Sequence, residues 1–147
     1  MTTGNTTITT AALVPHAGAM CLLDEVASWD DRRIRCRSAS HRLAAHPLRR
    51  DGCLSSIHLL EYAAQAVAVH GALVGGTSAA TAKLLAAARD FELHVTSLDE
   101  VSADLLIDAE RMITLGEAVL YSFQVSTAGD VLAAGRLSVR PAAGDPS

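Results

Sequence analysis

Residues 56–73 read SIHLLEYAAQAVAVHGAL, and from Leu54 to Ala82 the one side chain with a full charge at neutral pH is Glu61. The run stays apolar to Val74 and meets Gly75-Gly76, a helix-ending signal. Ser55 or Ser56 can cap its start, although Glu61 lies too far along for a capping box with either. At about 1.5 Å per residue such a helix is close to 30 Å long. Apolar residues around most of its circumference predict a helix wrapped by other elements. A carboxylate there is costly unless it is paired, hydrated or used.

The flanking sequence supplies the wrapping. CLLDEVASW (21–29) and RRIRCRSAS (32–40) read as strands joined at Asp30-Asp31, the second alternating Ile34 and Cys36 with arginines. Residues 41–53 read as a long polar loop. Beyond the helix, 83–95, 103–114, 117–127 and 131–141 read as strands, the last three forming an antiparallel meander. Ala86–Ala88 would also tolerate a helix. ITTAALVP (8–15) reads as a short helix ended by Pro15 and Gly18. One long helix among strands predicts an α+β fold, an antiparallel sheet curled around that helix. The expected division is a flexible N-terminus (1–9), one domain (10–140) and a disordered tail (141–147).

At 147 residues, with 50% hydrophobic and 19% charged residues, the chain suits one domain with a real core. A net charge of −4 gives no reason to expect nucleic-acid binding. Arg32, Arg33, Arg35, Arg37, Arg42, Arg49 and Arg50 form a cluster, read as a solvated strand face or as a docking surface for an acidic partner. Cys21, Cys36 and Cys53 have neither zinc-site nor disulfide-framework spacing. No cofactor or metal is called for. The polar N-terminus has no signal-peptide flank, and the longest apolar run is interrupted, so a cytoplasmic protein away from the membrane is expected.

On a helix, residues three and four apart share a face, so His58, Glu61 and Gln65 form one polar stripe. Such a stripe must meet a polar partner or a cavity. It reads either as a buried network tying helix to sheet or as a general acid lining a cleft. His41, His46, His58 and His70 are the nearby candidates for a general base; His46 is favoured by its place before Pro47, just ahead of the helix. His70 lies nine residues beyond Glu61, about half a revolution away. Backbone N–H groups near Ser55, Ser56 and Ile57 could receive a thioester or enolate oxygen. This combination fits elimination or addition of water beside a carbonyl.

LVPHAGAMCLLDEV (13–26) and LLEYAAQAVAVHGAL (59–73) resemble the opening and central helix of the hot-dog-fold 3-hydroxyacyl-ACP dehydratases. Glu61, Ala64 and Gln65 fall on that family's "L-x-E-x-x-A-Q" setting. The resemblance spans about residues 10–140 and is nearest to the small dehydratase-like proteins of aryl-polyene and related polyketide pigment pathways. It implies a hot-dog fold, a dimer with another hot-dog chain (self or not), and an acyl chain carried on the 4'-phosphopantetheine of acyl carrier protein. It further implies Glu61 as acid, His46 as base, a Ser56 backbone N–H on the thioester oxygen and Gln65 behind the acid. The product would be a trans-2-enoyl thioester of fatty-acid or polyketide type.

His46 stands 15 residues before Glu61, within one residue of the family's spacing, but the family's "H-F-P-G" and "M-P-G" segments are not present. In a second register HPL (46–48) aligns with an earlier family stretch, and the chain is a non-catalytic partner subunit. A helix carboxylate also fits an acyl thioesterase.

Overall fold

The computed structural model describes Ile8–Thr9 and residues 21–75 and 84–141. Seven strands form one antiparallel sheet: β1 (Ile8–Thr9), β2 (Glu25–Trp29), β3 (Arg33–Ser38), β4 (Leu84–Leu93), β5 (Leu105–Leu115), β6 (Ala118–Thr127) and β7 (Asp130–Pro141), in the order β1-β2-β3-β5-β6-β7-β4. The single long helix, α1 (Leu59–Gly75), lies between β3 and β4 in sequence and packs on β5, β3 and β6. The expected meander is β5–β6–β7.

Period-two patterning decides which sheet face meets the helix. In β3, Ile34, Cys36 and Ser38 are buried and the alternate Arg33 and Arg35 are exposed. Leu105, Ile107 and Ala109 of β5 and Tyr121, Phe123 and Val125 of β6 continue the inner face. Against it α1 buries Leu59, Tyr62, Ala63, Ala66, Val67 and Val69. The alanines let helix and sheet approach closely. Ser56–Gly75 is long and apolar enough to cross a membrane, but here it is the helix at the centre of a sheet.

One local reading changes and two gain detail. Ile8–Thr9 pair with Val26 and Glu25 as an edge strand, so helix is not formed there; the rest of the proposed 8–15 helix, like most of both termini, lies outside the described residues. β4 is strand throughout, and its weak alternation has a cause: a bulge between Arg89 and Glu92, with Asp90 at φ 51°. The bulge presses on β7 at Gly135, where a Cβ would stand 3.1 Å from Phe91 Cα and Phe123 Cζ. The helix enters through a 3-10 turn, Ser56–His58, capped by the Ser55 hydroxyl, which accepts from the Ile57 N–H.

The 41–53 loop is pinned rather than loose. Arg49 donates to the carbonyls of His41, Leu43 and Gly52 and pairs with Asp99. Asp99 in turn accepts from the Leu54 N–H, immediately before the helix entry. The Arg49 bond, followed by the Leu54 N–H, lowers the Asp99 carboxyl to about 2.

Candidate active site

Glu61 occupies the first turn of α1, half-buried, where the positive helix end faces it. One turn on, Gln65 is buried and donates from Nε2 to Glu61 Oε1 at 3.4 Å. Gln65 Oε1 accepts the Leu22 N–H at 2.9 Å. That second bond orients the amide, because the reversed amide would set N–H against N–H. Glu61 Oε2 has no hydrogen-bond partner among the described residues. The polar stripe is thus half used: one carboxylate oxygen is held and the other is presented. His58 shares the face, half-buried, without a bond to Glu61.

His46 is buried in a different setting. Its Nδ1 accepts the Leu48 N–H at 3.1 Å, so Nε2 carries the proton and donates to Tyr62 Oη at 3.0 Å. Burial, then the nearby Arg49, holds its pKa below the usual histidine range. Tyr62 Oη lies 2.7 Å from Ser40 Oγ, which donates to the Leu22 carbonyl at 2.7 Å. Ser38 Oγ donates to the same carbonyl at 2.5 Å. Burial pushes the Tyr62 hydroxyl up to about 12. Within one chain, then, His46 and Glu61 share no hydrogen bond, and both nitrogens of His46 are occupied.

The expected oxyanion donor is also occupied. The Ser56 N–H donates to the Thr96 carbonyl at 3.1 Å, because Ser55 pairs with Ser97 as an isolated bridge beside the helix entry. The neighbouring Ile57 and His58 N–H groups are taken by Ser55. A segment beyond the helix is thus stitched to the first residue of its entry turn, a long-range contact that cap chemistry could not reveal.

The other histidines divide plainly. His70 Nε2 donates to the Asp30 carbonyl at 2.8 Å, leaving Nδ1 to accept from Tyr121 Oη at 2.6 Å, on the far side of the helix. His41 Nε2 donates to the Val101 carbonyl at 3.0 Å, and its Nδ1 is buried without a partner among the described residues. Tyr62 and Ser40 were missed by sequence reasoning: a tyrosine in an apolar helix reads as packing, and only the fold brings Ser40 under it.

The arginine cluster is mostly neutralised. Arg33 faces Glu110 across β3–β5 at 3.2 Å and Arg35 faces Asp108 at 2.7 Å. Arg37 bridges Glu25 and Asp104, and Arg42 joins Asp104. A shallow groove of about 440 Å³ runs along this face, lined in part by Arg33, Arg35, Asp108 and Glu110. It is on the opposite side of the sheet from α1 and does not include Glu61. The solvated-face reading of the cluster fits.

A family model described as ApeP-like, ApeP dehydratase, matches residues 8–146. The chain belongs to this dehydratase family. It is accordingly a hydro-lyase of the aryl-polyene type, as the helix motif implied. No curated protein matches it. Among solved structures, the dehydratase heterocomplex ApeI:P from Xenorhabdus doucetiae is similar, with TM-score 0.77 and 23% identity over 92% of this chain and 91% of that one. A hypothetical thioesterase with coenzyme A from Streptococcus pneumoniae gives TM-score 0.59 and 12% identity over 84% and 88%. AziG from S. sahachiroi gives 0.59 and 12% over 79% and 88%. At these identities the likenesses show the fold, which is the hot-dog fold.

Proposed function

We propose that this dehydratase acts on 3-hydroxyacyl thioesters carried by acyl carrier protein, with Glu61 as general acid, inside a dimer of hot-dog chains in the cytoplasm. The observation that carries this reading is the Glu61–Gln65 pair: a family-motif carboxylate at a helix start, one oxygen held and the other presented. In the reaction the α-proton passes to a base and its C–H electron pair becomes the new π bond. The β C–O bond breaks onto oxygen, Glu61 protonates that oxygen, and water leaves. The base's proton then returns to Glu61 through solvent.

For His46 to serve as that base, it would have to release the Leu48 N–H or reverse its tautomer away from Tyr62. We therefore place the base on the second subunit, as in the dimer geometry that the resemblance implies. ApeI:P is a heterocomplex, which favours a different hot-dog chain as that subunit. The alternative of a non-catalytic subunit follows from the same occupied histidine, but assigns Glu61 no role.

The test is the full chain, in the hot-dog dimer it forms, incubated with a 3-hydroxyacyl carrier protein. Enoyl product abolished by Glu61→Gln supports the acid; unchanged turnover in Glu61→Gln overturns it. Free acid and thiol in place of enoyl product would make the chain a thioesterase.

A further inference from the structure

Charge accounting along the arginine cluster leaves one guanidinium open beside the helix start. Arg33 and Arg35 each turn the Nε–Nη2 edge onto a carboxylate, Glu110 and Asp108. Arg37, Arg42 and Arg49 are also paired with acids. Arg50 is arranged the other way round. Its Nη1 donates to the Pro47 and Arg49 carbonyls at 3.3 and 2.9 Å, while Nε and Nη2 meet no partner among the described residues. The open edge is the one whose two parallel N–H groups match the two oxygens of a carboxylate. The Arg32 side chain also meets no acid among the described residues. It stands, however, in the β2–β3 turn whose Asp30 carbonyl holds His70, in the second half of α1 and away from Glu61.

The backbone beneath Arg50 is rigid. The Arg50 N–H donates to the Cys53 carbonyl at 2.8 Å, and the Cys53 N–H returns to the Arg50 carbonyl at 2.9 Å. Between them Asp51 and Gly52 take φ of 52° and 77°, as a type I′ turn requires. Arg49 braces the same turn through the Gly52 carbonyl. Asp51, though next in sequence, forms no ion pair with Arg50. The loop that carries Arg50 meets Tyr62, the neighbour of Glu61, through His46, and it runs on into the helix entry. The same segment exposes Leu43 and Ile57, 58% and 48% open to solvent.

Resting on the reading that the chain acts on carrier-bound acyl thioesters, we propose that Arg50 is a docking contact for the acyl carrier protein. Its Nε–Nη2 edge takes a surface carboxylate of that acidic protein, with Leu43 and Ile57 as apolar footing on the same segment. A carrier whose arm delivers a thioester to Glu61 has to stand near the helix start, which is where this edge is held open. A guanidinium fixed in advance loses little side-chain freedom when its partner arrives. It also has no internal ion pair to break, whereas Arg33 and Arg35 would first have to release Glu110 and Asp108. A contact at the protein surface, remote from the reacting bonds, acts on binding of the carrier and not on the chemical step.

The experiment uses the full chain in its hot-dog dimer, with one 3-hydroxyacyl group presented on carrier protein or on coenzyme A. Coenzyme A offers the same phosphopantetheine arm without the protein surface. Arg50→Ala should raise KM for the carrier-bound substrate about fivefold, and Arg50→Glu further, with kcat within about twofold, the scale of one exposed charge pair. KM for the coenzyme A thioester should stay level in both variants. Unchanged carrier KM in Arg50→Glu overturns the proposal. An equal rise with coenzyme A overturns it too, because the edge would then be reading the phosphate of the arm. So does loss of the dimer on size exclusion, which would give this surface to the second hot-dog chain. Should the variants not fold by circular dichroism, salt decides on the parent protein: a carrier KM that climbs with salt more steeply than the coenzyme A KM supports the contact, and equal slopes overturn it. Binding of fluorescently labelled carrier protein, followed by anisotropy, separates the two claims. Arg50-dependent binding without enoyl product removes the dehydration reading and leaves the contact, whereas enoyl product with Arg50-independent binding removes the contact alone.

Discussion

Two polar constellations meet α1 at adjacent residues, one at Glu61 and one, built from the loop before the helix, at Tyr62, and they are built oppositely. Around His46 each donor meets an acceptor: the Leu48 N–H, Tyr62 and Ser40 close the histidine in. Around Glu61 the bonding stops halfway, with Oε1 held by Gln65 and Oε2 presented. A group whose valences are all satisfied is worth stability; a group left half-satisfied at a helix start is worth chemistry. The contrast teaches that proximity to the motif does not assign a role. Bond accounting does.

The sharpest way to break the contrast is to delete each side and compare turnover. Glu61→Gln is expected to cost about 10²–10⁴ in kcat, the range of a general acid, with a normal unfolding midpoint because Gln65 still finds an acceptor. His46→Ala is expected to act the other way, lowering the urea midpoint while costing far less turnover. A His46→Ala loss as deep as that of Glu61→Gln would restore the histidine as base. Both are read from initial rates of enoyl formation alongside denaturant curves.

The fold was legible because its signals were local. The apolar 56–74 run, the alternation in β3 and the turn-separated strands of the meander each follow from period and punctuation. The Glu61–Gln65 pair was legible for the same reason, since i and i+4 meet on any helix. What stayed hidden depended on contacts far apart in sequence. Thr96 takes the Ser56 N–H, Leu22 orients Gln65, and Ser40 lies under Tyr62. The weak pattern of β4 hid a bulge that only its pairing with Gly135 explains.

A smaller effect tests how tightly the closed side is sealed. Tyr62→Phe strands the His46 N–H and frees the Ser40 hydroxyl, a loss of about 1–3 kcal/mol in unfolding free energy. The pH dependence follows the same logic. Burial holds His41, His46 and His70 below the ordinary histidine range. Each takes up its proton more readily unfolded, so stability is full above about pH 6.5 and falls as pH drops below it, by up to about 1.4 kcal/mol per pH unit for each. Asp99 acts later and through its own depression. Its contribution is present above about pH 4 and is lost as pH falls toward 2. Urea midpoints from pH 8 to pH 3 should therefore decline from the first step below 6.5, and Asp99→Asn should flatten only the lowest part of the curve. A flat profile between pH 7 and 5 would mean the histidines are not held neutral.

The smallest expected effect lies on the outer sheet face, where charge is abundant and nothing is enclosed. Arg33 and Glu110 stand directly opposite across β3 and β5, with side chains 70% and 38% exposed. Their attraction works through water and is offset by the entropy of holding two long side chains, so Arg33→Ala should change unfolding free energy by at most about 1 kcal/mol. Because Arg33 is already paired, the same variant should leave KM for an acidic carrier protein within twofold. A KM rise well beyond that, suppressed by salt in the parent protein, would show that carrier docking competes successfully with Glu110 for the guanidinium. The arginine ladder would then be an electrostatic surface exchanged between cross-strand acids and an incoming partner.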